Sequence, residues 1–350
     1  VTMSEDATVE RLLAAVKQRR ERVNDAIVEE LPIEEPERLY EASRYLLDAG
    51  GKRLRPTVCL LVGEALTGTE PGSADYREFR ALYDGEVDLM RAAVGIEVIQ
   101  SFTLIHDDIM DDDDLRRGVP AVHREYDEST AILAGDTLYA KAFEFMTDTG
   151  SRPELSVAAT NRLARTCTEI CEGQALDVEF ETRSGVLPEE YLQMIELKTA
   201  VLYGASAAIP AILLGADDDT VEALRQYGID SGRAFQIQDD LLDLTVSSEE
   251  LGKQRGSDLV GEKETLITLH ARQQGVDVDS LVDAETADEL TEAEVADAVE
   301  RLEDAGSIEY ARSKAQELTD RSKGHLEALP ENEARRLLAD LADYLINRGY

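Results

Sequence analysis

Apolar residues recur at helical spacing along nearly the whole chain, and this periodicity limits what the chain can fold into. The pattern returns every three or four residues, as on one face of an α-helix. Examples near the two ends are Leu12, Leu13 and Val16, and Leu337, Leu338 and Leu341. Alternating strand patterns are essentially missing from the sequence. The sequence therefore predicts an all-α protein whose helices are joined by short turns rich in Gly, Pro or Asp.

No shift in composition marks a linker between domains, so one helical domain is expected over residues 1–350. Two polar stretches interrupt the helical pattern. Residues 68–85 contain a proline and several glycines, which predicts a loop insertion. Residues 273–294 are predicted to form a polar surface region. Within it, Thr291 followed by Glu294 resembles a capping box that begins a helix.

The charge balance restricts the possible partners. The chain has 36 basic and 74 acidic residues, a formal net charge of −38, and 43% hydrophobic residues. The hydrophobic fraction excludes a disordered acidic tail. Because so negative a surface repels phosphate backbones and anionic lipids, neither nucleic acid nor a membrane surface is expected as a partner. The acidic excess is spread over the whole chain, which predicts adaptation to concentrated salt, with an ordinary acidic protein as the alternative.

The cysteines and the N-terminus predict a reduced, cytoplasmic protein. Cys167 and Cys171 lie four residues apart, and we expect buried thiols on one helix face, not a metal pair or a disulfide. The first residues contain no basic region before an apolar run, so no export signal is expected. Residues 199–216 carry no charge, but they include Gly204 and Pro210, which favours a buried core helix over a membrane span.

Two clusters of aspartate are the first candidates for chemistry. In each, an Asp-Asp pair is followed three residues later by another Asp, so the first and last carboxylates lie on one helix face. Their members are Asp107, Asp108 and Asp111, and Asp239, Asp240 and Asp243. The like charges destabilise a helix unless a hard cation such as magnesium, together with substrate phosphates, offsets them. A solvated acidic face is the alternative, but apolar neighbours favour metal-binding helices that face each other across a cavity.

A compact basic segment complements these acids. It reads Gly50-Gly51-Lys52-Arg53-Leu54-Arg55-Pro56. Glycines let the backbone approach an anion closely, and Arg and Lys bind phosphate oxygens. Further candidates are Arg116, Arg117, Lys198, Lys253 and Lys263. An ordinary surface ion pair would explain any one of these cations alone, but together they predict a diphosphate site.

In this order and spacing, the motifs resemble those of the trans-isoprenyl diphosphate synthases (polyprenyl synthetases), and the sequence is most similar to an archaeal, salt-adapted enzyme of the geranylgeranyl diphosphate synthase type. The resemblance covers nearly the whole chain and is weakest before Leu39 and after Ala271. It implies an isoprenoid-synthase-type helical bundle around a central cavity, assembled as a homodimer. It also implies a magnesium-dependent, head-to-tail condensation of isopentenyl diphosphate with dimethylallyl, geranyl or farnesyl diphosphate.

The resemblance also assigns roles to individual residues. The six clustered aspartates would hold about three magnesium ions. Its catalytic set is Asp107, Asp108, Asp111, Asp239 and Lys198. The allylic diphosphate would be bound by Arg116, Lys198, Thr199, Gln236, Lys253 and Lys263. The isopentenyl diphosphate would be bound by Gly51, Lys52, Arg55, Gln100 and Arg117. The chain departs from the family at Gln100, where many relatives have a histidine, and at Ile267, where a proline often follows Thr-Leu.

The implied mechanism needs no side chain as nucleophile or dedicated base. The diphosphate leaves, the isopentenyl double bond attacks the allylic cation, and the departing diphosphate takes the proton. We therefore expect His106, beside the first cluster, to be structural and not a general base.

Product length should depend on the side chain that stops the growing chain. Phe102, five residues before Asp107, is the expected floor of the cavity, with ordinary core packing as the alternative. A ring at this position resembles the geranylgeranyl-forming archaeal arrangement, and the resemblance therefore implies geranylgeranyl diphosphate (C20) as the product. Farnesyl (C15) and longer (C25) products remain alternatives. A terpene cyclase or head-to-head prenyl synthase is a weaker alternative. Neither enzyme binds isopentenyl diphosphate, so neither needs the basic segment Gly50–Pro56.

Overall fold

The structure, a computed structural model, describes residues 5–247, 255–260, 263–284, 286 and 289–347. Lys253, a predicted diphosphate ligand, lies outside the described residues. Helices make up nearly all of the regular structure in these ranges, which confirms the all-α prediction.

The α-helices follow one another in chain order. They are α1 (Glu5–Glu30), α2 (Glu37–Asp48), α3 (Leu54–Thr67), α4 (Leu89–Met110), α5 (Val122–Glu125), α6 (Glu128–Thr147), α7 (Pro153–Phe180), α8 (Pro188–Ile195), α9 (Val201–Leu214), α10 (Asp218–Thr245), α11 (Ser257–Val260), α12 (Leu266–Gln273), α13 (Glu292–Asp304), α14 (Ser307–His325) and α15 (Glu333–Asn347). A π-helical turn, Glu196–Ala200, joins α8 to α9. Short 3-10 turns lie at Val278–Ser280 and Leu326–Ala328.

Two short antiparallel hairpins depart from the expectation of helices alone. Strand β1 (Phe79–Arg80) pairs with β2 (Glu86–Val87), and β3 (Leu115–Arg116) pairs with β4 (Val119–Pro120). Each strand has two residues, too few for the alternation that signals a strand in a sequence. The first hairpin begins inside the predicted loop insertion, and the second follows the first aspartate cluster directly.

The described residues group into two compact units. Unit 1 falls within Val1–Cys167, Leu202–Arg225 and Leu326–Asp340. Unit 2 falls within Thr168–Val201, Gln226–His325 and Leu341–Tyr350. The single domain over residues 1–350 stays a prediction.

In unit 1, helix α4 is the central element and packs against α1, α3 and α6. It begins at Asp88, whose side chain accepts a hydrogen bond of 2.8 Å from the backbone N–H of Arg91. Such an N-cap satisfies a donor that the helix itself cannot. The middle of α4 is apolar and buried, for example at Val94 and Ile99. This burial fixes the C-terminal end of α4, where the first aspartate cluster lies.

In unit 2, one apolar cluster gathers side chains from α8, α10, α12, α13 and α14. Its members include Tyr191, Ile237, Leu266, Leu302 and Leu318, all buried. Helix α13 begins with the predicted capping box, in which the Thr291 side chain accepts from the N–H of Glu294 at 3.3 Å and Glu294 accepts from the N–H of Thr291 at 2.9 Å. The cluster holds α10, which carries the second group of aspartates.

The apolar stretch that raised the question of a membrane span is one helical run, Pro188–Leu214. Its length and hydropathy are those of a spanning helix, but 78% of its most apolar window is buried inside the protein. Core helices of soluble proteins pass the same test, and Pro210 lies within α9. Burial of this extent supports the predicted core helix.

The cysteine prediction was right for one residue of the pair and wrong for the other. Cys167 is buried, as is Cys59, but Cys171 is exposed. Residues 168, 172 and 175 on the same side of α7 are also exposed. Within the part of the chain that the structure describes, this face is left uncovered at Cys171, although the spacing from Cys167 is helical.

Candidate active site

The first aspartate cluster lies at the C-terminal end of α4, where burial separates its members. Asp107 is half-buried and Asp111, the C-cap, is exposed, and the two lie four residues apart on one helix face. Asp108 is fully buried. The negative end of the helix dipole also lies here, so the carboxylates repel both one another and the helix terminus. A cation is the natural complement of this arrangement.

Asp108 is bound by the arginine of the second hairpin. Arg116 donates from Nε to Asp108 Oδ1 at 2.7 Å and from Nη2 to the same oxygen, and Nη2 also lies 3.2 Å from Asp113 Oδ2. Burial raises the pKa of Asp108, although the Arg116 guanidinium opposes that change. Arg116, predicted to contact the allylic diphosphate, is thus held beside the first cluster.

The other oxygen of Asp108 gives a test for a metal ion. Asp108 Oδ2 is buried and has no hydrogen-bond partner among the residues that the structure describes. A buried carboxylate oxygen without a donor is costly, and a hard cation is one way to satisfy it. Across the described ranges, no three His, Cys, Asp or Glu side chains already converge as a cation site. The residues therefore suit magnesium that takes only a few protein oxygens and completes its shell with water and substrate phosphate.

The basic segment enters α3 through two glycines and a left-handed arginine. Gly50 and Gly51 have φ of 101° and 148°, and Arg53, the N-cap, has φ of 51°. Arg53 is buried and donates to Glu97 Oε1 at 2.6 Å, to the carbonyl of Leu47 at 2.6 Å and to Asn24 Oδ1 at 2.9 Å. This arginine is therefore a structural member of the segment.

The remaining cations of the segment keep some solvent exposure. Lys52 is exposed and Arg55 is half-buried. The Arg55 guanidinium lies 4.1 Å from the ring centroid of Tyr203, and its Nε is buried and receives no hydrogen-bond acceptor from the described ranges. Such a cation–π contact orients the planar group.

Arg117 comes to the same place from the second hairpin. Its Nη1 donates to the carbonyl of Leu46 at 2.9 Å and to that of Gly50, and its Nη2 lies 3.7 Å from Glu97 Oε1. Burial lowers the pKa of Arg117, with the nearby arginines adding to that change, while Glu97 opposes it. Gln100 follows Glu97 by three residues on α4 and is half-buried, on the same side of the helix.

Phe102 and His106 belong to a row of aromatic rings on α4 and α6. The Phe102 ring makes edge contacts with His106 at 4.9 Å and Tyr139 at 5.2 Å, and Tyr139 contacts Phe143 at 5.0 Å. A Cβ on Gly135 would lie 2.3 Å from His106 Nε2, so this glycine makes room for the imidazole. His106 Nε2 also lies 3.2 Å from the carbonyl of Ile132. These contacts agree with a structural histidine.

The second aspartate cluster lies in α10, where Asp240 is buried among neutral donors. The Tyr191 hydroxyl donates to Asp240 Oδ2, and Gln236 Nε2 donates to Asp240 Oδ1 at 3.1 Å. Burial raises the pKa of Asp240 to about 7, although Lys263 and the two hydrogen bonds act against it. Burial and the Asp240 charge also raise the pKa of Tyr191, which keeps its phenol protonated as a donor.

Asp243, the last aspartate of the second cluster, binds the start of helix α11. It is buried, accepts from Ser257 Oγ at 3.0 Å and from the N–H of Asp258 at 3.2 Å, and so holds the start of α11. Asp239 is half-buried on the same helix.

Lys198 and Thr199 lie on the π-helical turn between α8 and α9. Lys198 Nζ is 2.5 Å from Asp177 Oδ2, and Thr199 Oγ1 is 3.4 Å from Gln236 Oε1. A Cβ on Gly173 of α7 would lie 2.2 Å from the backbone nitrogen of Lys198. Only glycine at 173 allows α7 to approach so closely. π-Helical turns occur frequently at functional sites.

Lys263 stands just before α12 in unit 2. Its desolvation acts to lower its pKa, but the carboxylates of Asp258 and Asp240 outweigh that effect and raise the pKa. Ile267, which takes the place of the family proline, is fully buried.

Three residues of these surroundings were not found from the sequence. Glu97 binds Arg53, Asp177 binds Lys198, and Tyr191 binds Asp240. A signal for Glu97 was present, since it is an acidic residue inside the apolar α4 pattern, and buried charges require partners. Asp177 and Tyr191 are recognised only by their contacts with Lys198 and Asp240 in space. Those contacts cannot be read from positions along the chain.

Comparison with known proteins agrees with the motifs. The family model described as polyprenyl synthetase matches residues 36–302. The geranylfarnesyl diphosphate synthase of Natronomonas pharaonis is 66% identical over 96% of this chain and 98% of its own. The solved geranylgeranyl pyrophosphate synthetase from Geoglobus acetivorans is 44% identical, with a TM-score of 0.84 over 95% of this chain and 99% of its own. A polyprenyl synthase from Caulobacter crescentus, complexed with calcium and isoprenyl diphosphate, is 31% identical, with a TM-score of 0.80 over 97% and 98%.

Proposed function

Because the chain belongs to the polyprenyl synthetase family and is a short-chain isoprenyl diphosphate synthase, we propose that it condenses isopentenyl diphosphate head to tail with an allylic diphosphate in the presence of magnesium. The observation that carries this proposal is the basic segment Gly50–Pro56 of unit 1, where Arg117 of the second hairpin donates to the carbonyl of Gly50 beside Lys52 and Arg55. A terpene cyclase or a head-to-head synthase takes no isopentenyl diphosphate and would have no use for this group.

The carboxylates of both clusters would hold about three magnesium ions at the allylic diphosphate, a number implied by the family resemblance. Asp107 and Asp111 share one face of α4, and Asp108 offers a buried oxygen to which no described residue donates. Asp239, Asp240 and Asp243 are the corresponding residues of unit 2. Magnesium, when bound, neutralises the charge that develops on the leaving diphosphate. The bound calcium and isoprenyl diphosphate of the Caulobacter crescentus relative support a divalent cation at this step.

The cationic and polar side chains would bind the same allylic diphosphate. We assign Arg116, Lys198, Thr199 and Gln236 to it, together with Lys253 and Lys263. Lys198 is oriented by Asp177, and Thr199 by Gln236. Fixed donors of this kind stabilise developing negative charge without reorganising during the reaction.

The reaction then follows from charge. The allylic carbon–oxygen bond breaks, and its electron pair leaves with the diphosphate. The isopentenyl double bond attacks the allylic cation, and a proton passes from the resulting cation to a diphosphate oxygen. No side chain is required as a nucleophile, and the His106 ring is already held by Phe102 and the Ile132 carbonyl.

We assign geranylgeranyl diphosphate (C20) as the main product, because the Phe102 ring stands five residues before Asp107 and is packed against Tyr139. A C25 product is the second candidate. It is favoured by the 66% identity to a geranylfarnesyl diphosphate synthase. Phe102→Ala should lengthen the main product, and mass spectrometry of the extracted diphosphates would measure it. Phe143→Ala, at the far end of the row of rings, is the matched control. An unchanged distribution of product lengths in Phe102→Ala would reject Phe102 as the side chain that stops the growing product.

The activity itself is tested by incorporation of labelled isopentenyl diphosphate into dimethylallyl, geranyl and farnesyl diphosphate in concentrated potassium chloride. Incorporation should require magnesium and should be lost in Asp107→Ala. Asp114→Ala is the control, because Asp114 is exposed and forms a surface ion pair with Arg124 at 2.8 Å. No incorporation by the unmodified chain with any primer would reject the function.

We also propose a homodimer in the cytoplasm, as the resemblance implies. Light scattering after size-exclusion chromatography would give the mass in solution, and the mass of a single chain would contradict the dimer.

A further inference from the structure

Unit 1 contains a buried glutamate that the proposed mechanism does not use. Glu97 lies in the middle of α4, where nearly every other residue is apolar, and only 3% of it is exposed. A buried charge is retained only with a partner. Here two arginines from different elements face one oxygen of the carboxylate, Oε1, at 2.6 Å from Arg53 Nη1 and 3.7 Å from Arg117 Nη2.

The two arginines differ in what they can still bind. The Arg53 side chain is 2% exposed and uses all three of its nitrogens on Glu97, Leu47 and Asn24. The Arg117 side chain is 20% exposed, so part of its guanidinium is accessible to a ligand. Glu97 thus joins a fully buried arginine to one that reaches the surface.

The backbone of the glycine segment completes the group. A Cβ on Gly51 would lie 3.0 Å from Arg53 Nη1 and 3.1 Å from Arg117 Cζ. The carbonyl of Gly50 accepts from Arg117 Nη1. The two guanidiniums therefore pack directly on the turn that carries Lys52, and a shift of either one would move that turn.

We propose that Glu97 is a positioning residue for isopentenyl diphosphate, which fixes the Arg117 guanidinium and, through Arg53, the glycine turn that presents Lys52. The inference rests on the proposed function, because it assumes that Arg117 and Lys52 bind this substrate. A bare counter-ion for Arg53 would explain the 2.6 Å pair alone. It would not explain why a second, partly exposed guanidinium approaches the same oxygen.

The variant Glu97→Gln tests the proposal because it keeps the shape of the side chain and removes the charge. Its amide would also place N–H groups toward a guanidinium. The KM for isopentenyl diphosphate should rise about tenfold, as expected when charge-assisted positioning is lost. The KM for the allylic diphosphate should stay within about twofold, because among the described residues the side chains paired with Glu97 are Arg53 and Arg117, neither of which is a proposed allylic ligand. The value of kcat at saturation should change little.

Unit 1 offers a matched control in a second buried pair. Arg19 Nη2 and Glu64 Oε2 are 2.6 Å apart, with side chains 1% and 0% exposed, and Tyr76 donates to the other Glu64 oxygen. Glu64→Gln should lower the melting temperature at least as much as Glu97→Gln and leave both KM values unchanged. A purely structural role for Glu97 would make the two variants alike.

Several results would overturn the proposal. They are a KM for isopentenyl diphosphate that is unchanged in Glu97→Gln, a KM that falls because a negative charge was removed, or an equal rise of both KM values. If Glu97→Gln does not fold, Glu97→Asp carries the test, since it keeps the charge but withdraws it from Arg117. It should raise the isopentenyl KM about threefold, and no change would reject the role. Failure of the proposed function is distinct, because the unmodified chain would then incorporate no isopentenyl diphosphate.

Discussion

Asp108 and Asp240 occupy the same place in two copies of one motif, and both are buried, but their surroundings differ. In unit 1 the neighbour of Asp108 is a guanidinium, Arg116, delivered by a hairpin. In unit 2 the neighbours of Asp240 are a phenol and an amide, Tyr191 and Gln236, both delivered by helices. Burial raises the pKa of both carboxyls, and that of Asp240 reaches about 7.

The difference shows that the pKa of a carboxyl in an Asp-Asp-x-x-Asp motif depends on the residues packed around it and not on the motif alone. A cation within hydrogen-bond distance offsets much of the cost of burying Asp108. At Asp240 the cost of burial outweighs the Lys263 charge and the two neutral donors, which leaves Asp240 near the point of protonation at neutral pH. We therefore expect folding to depend on pH through unit 2 more than through unit 1.

The largest expected effect concerns the position of Lys198 in unit 2. Gly173→Ala would put a Cβ 2.2 Å from the backbone nitrogen of Lys198, so the π-helical turn must move with Lys198 and Thr199. Activity should fall about 1000-fold, since misplaced groups lose both orientation and electrostatic stabilisation. Steady-state incorporation of isopentenyl diphosphate would measure it. Gly324→Ala in α14, where a Cβ meets nothing within 4 Å, is the control, and equal losses in both variants would contradict the close approach.

Asp240→Asn should stabilise the metal-free protein at pH 8. The folded pKa of about 7 lies above the ordinary 3.8, so the contribution of Asp240 to stability is complete below pH 4 and is lost as the pH rises through 7. The gap corresponds to a gain of up to about 4 kcal/mol in the variant at pH 8, shrinking toward pH 4. Denaturant unfolding in EDTA and concentrated salt would measure it. Asp114→Asn should change nothing at either pH, and a destabilised Asp240→Asn at pH 8 would refute the shifted pKa.

Arg116→Met should destabilise unit 1, because it leaves the buried Asp108 without its cation. The loss should be about 3 kcal/mol at pH 8 and should diminish as the pH falls and Asp108 takes up a proton. The same unfolding experiment applies. Arg124→Met removes a cation from the exposed Asp112 and Asp114, and it should cost less than about 1 kcal/mol. If Arg116→Met and Arg124→Met were equally stable, Arg116 would not be compensating the buried charge of Asp108. The contrast drawn between Asp108 and Asp240 would then fail.

The smallest effect concerns the phenol. Tyr191→Phe removes a donor from Asp240, which should raise the pKa of Asp240 further and cost about 1 kcal/mol at pH 8. The carboxyl band of Asp240 in an infrared titration would follow the pKa. Tyr310→Phe, which alters a ring stacked on His270 in the same unit, should leave that titration unchanged. A lower pKa in Tyr191→Phe would contradict the role of the hydroxyl.

The sequence predicted the helices and the capping of α13 well, because these depend on local periodicity and on residues three apart. It could not predict the two hairpins, whose strands are two residues long. It also placed Cys171 in the interior, because helical spacing gives a shared face but not the element that covers each turn.

The members of the candidate site were predicted more completely than their partners. Aspartates and cations stand out by type and spacing, and the resemblance supplied an order for them. Glu97, Asp177 and Tyr191 were missed because each acts through a residue more than twenty positions away. Arg53 stood within the basic segment, and only its burial separates it from the residues that can face a ligand.

The π-helical turn between α8 and α9 also limits how this chain can vary during evolution. Such a turn is an α-helix with one residue inserted, and each residue added or removed rotates all later side chains by about 100° around the axis. A deletion at Glu196–Ala200 would remove the inserted residue and rotate the buried face of α9 around the helix axis. Insertions and deletions are therefore tolerated in the exposed turns between helices, whereas the length of this helical run is fixed by the register it must keep.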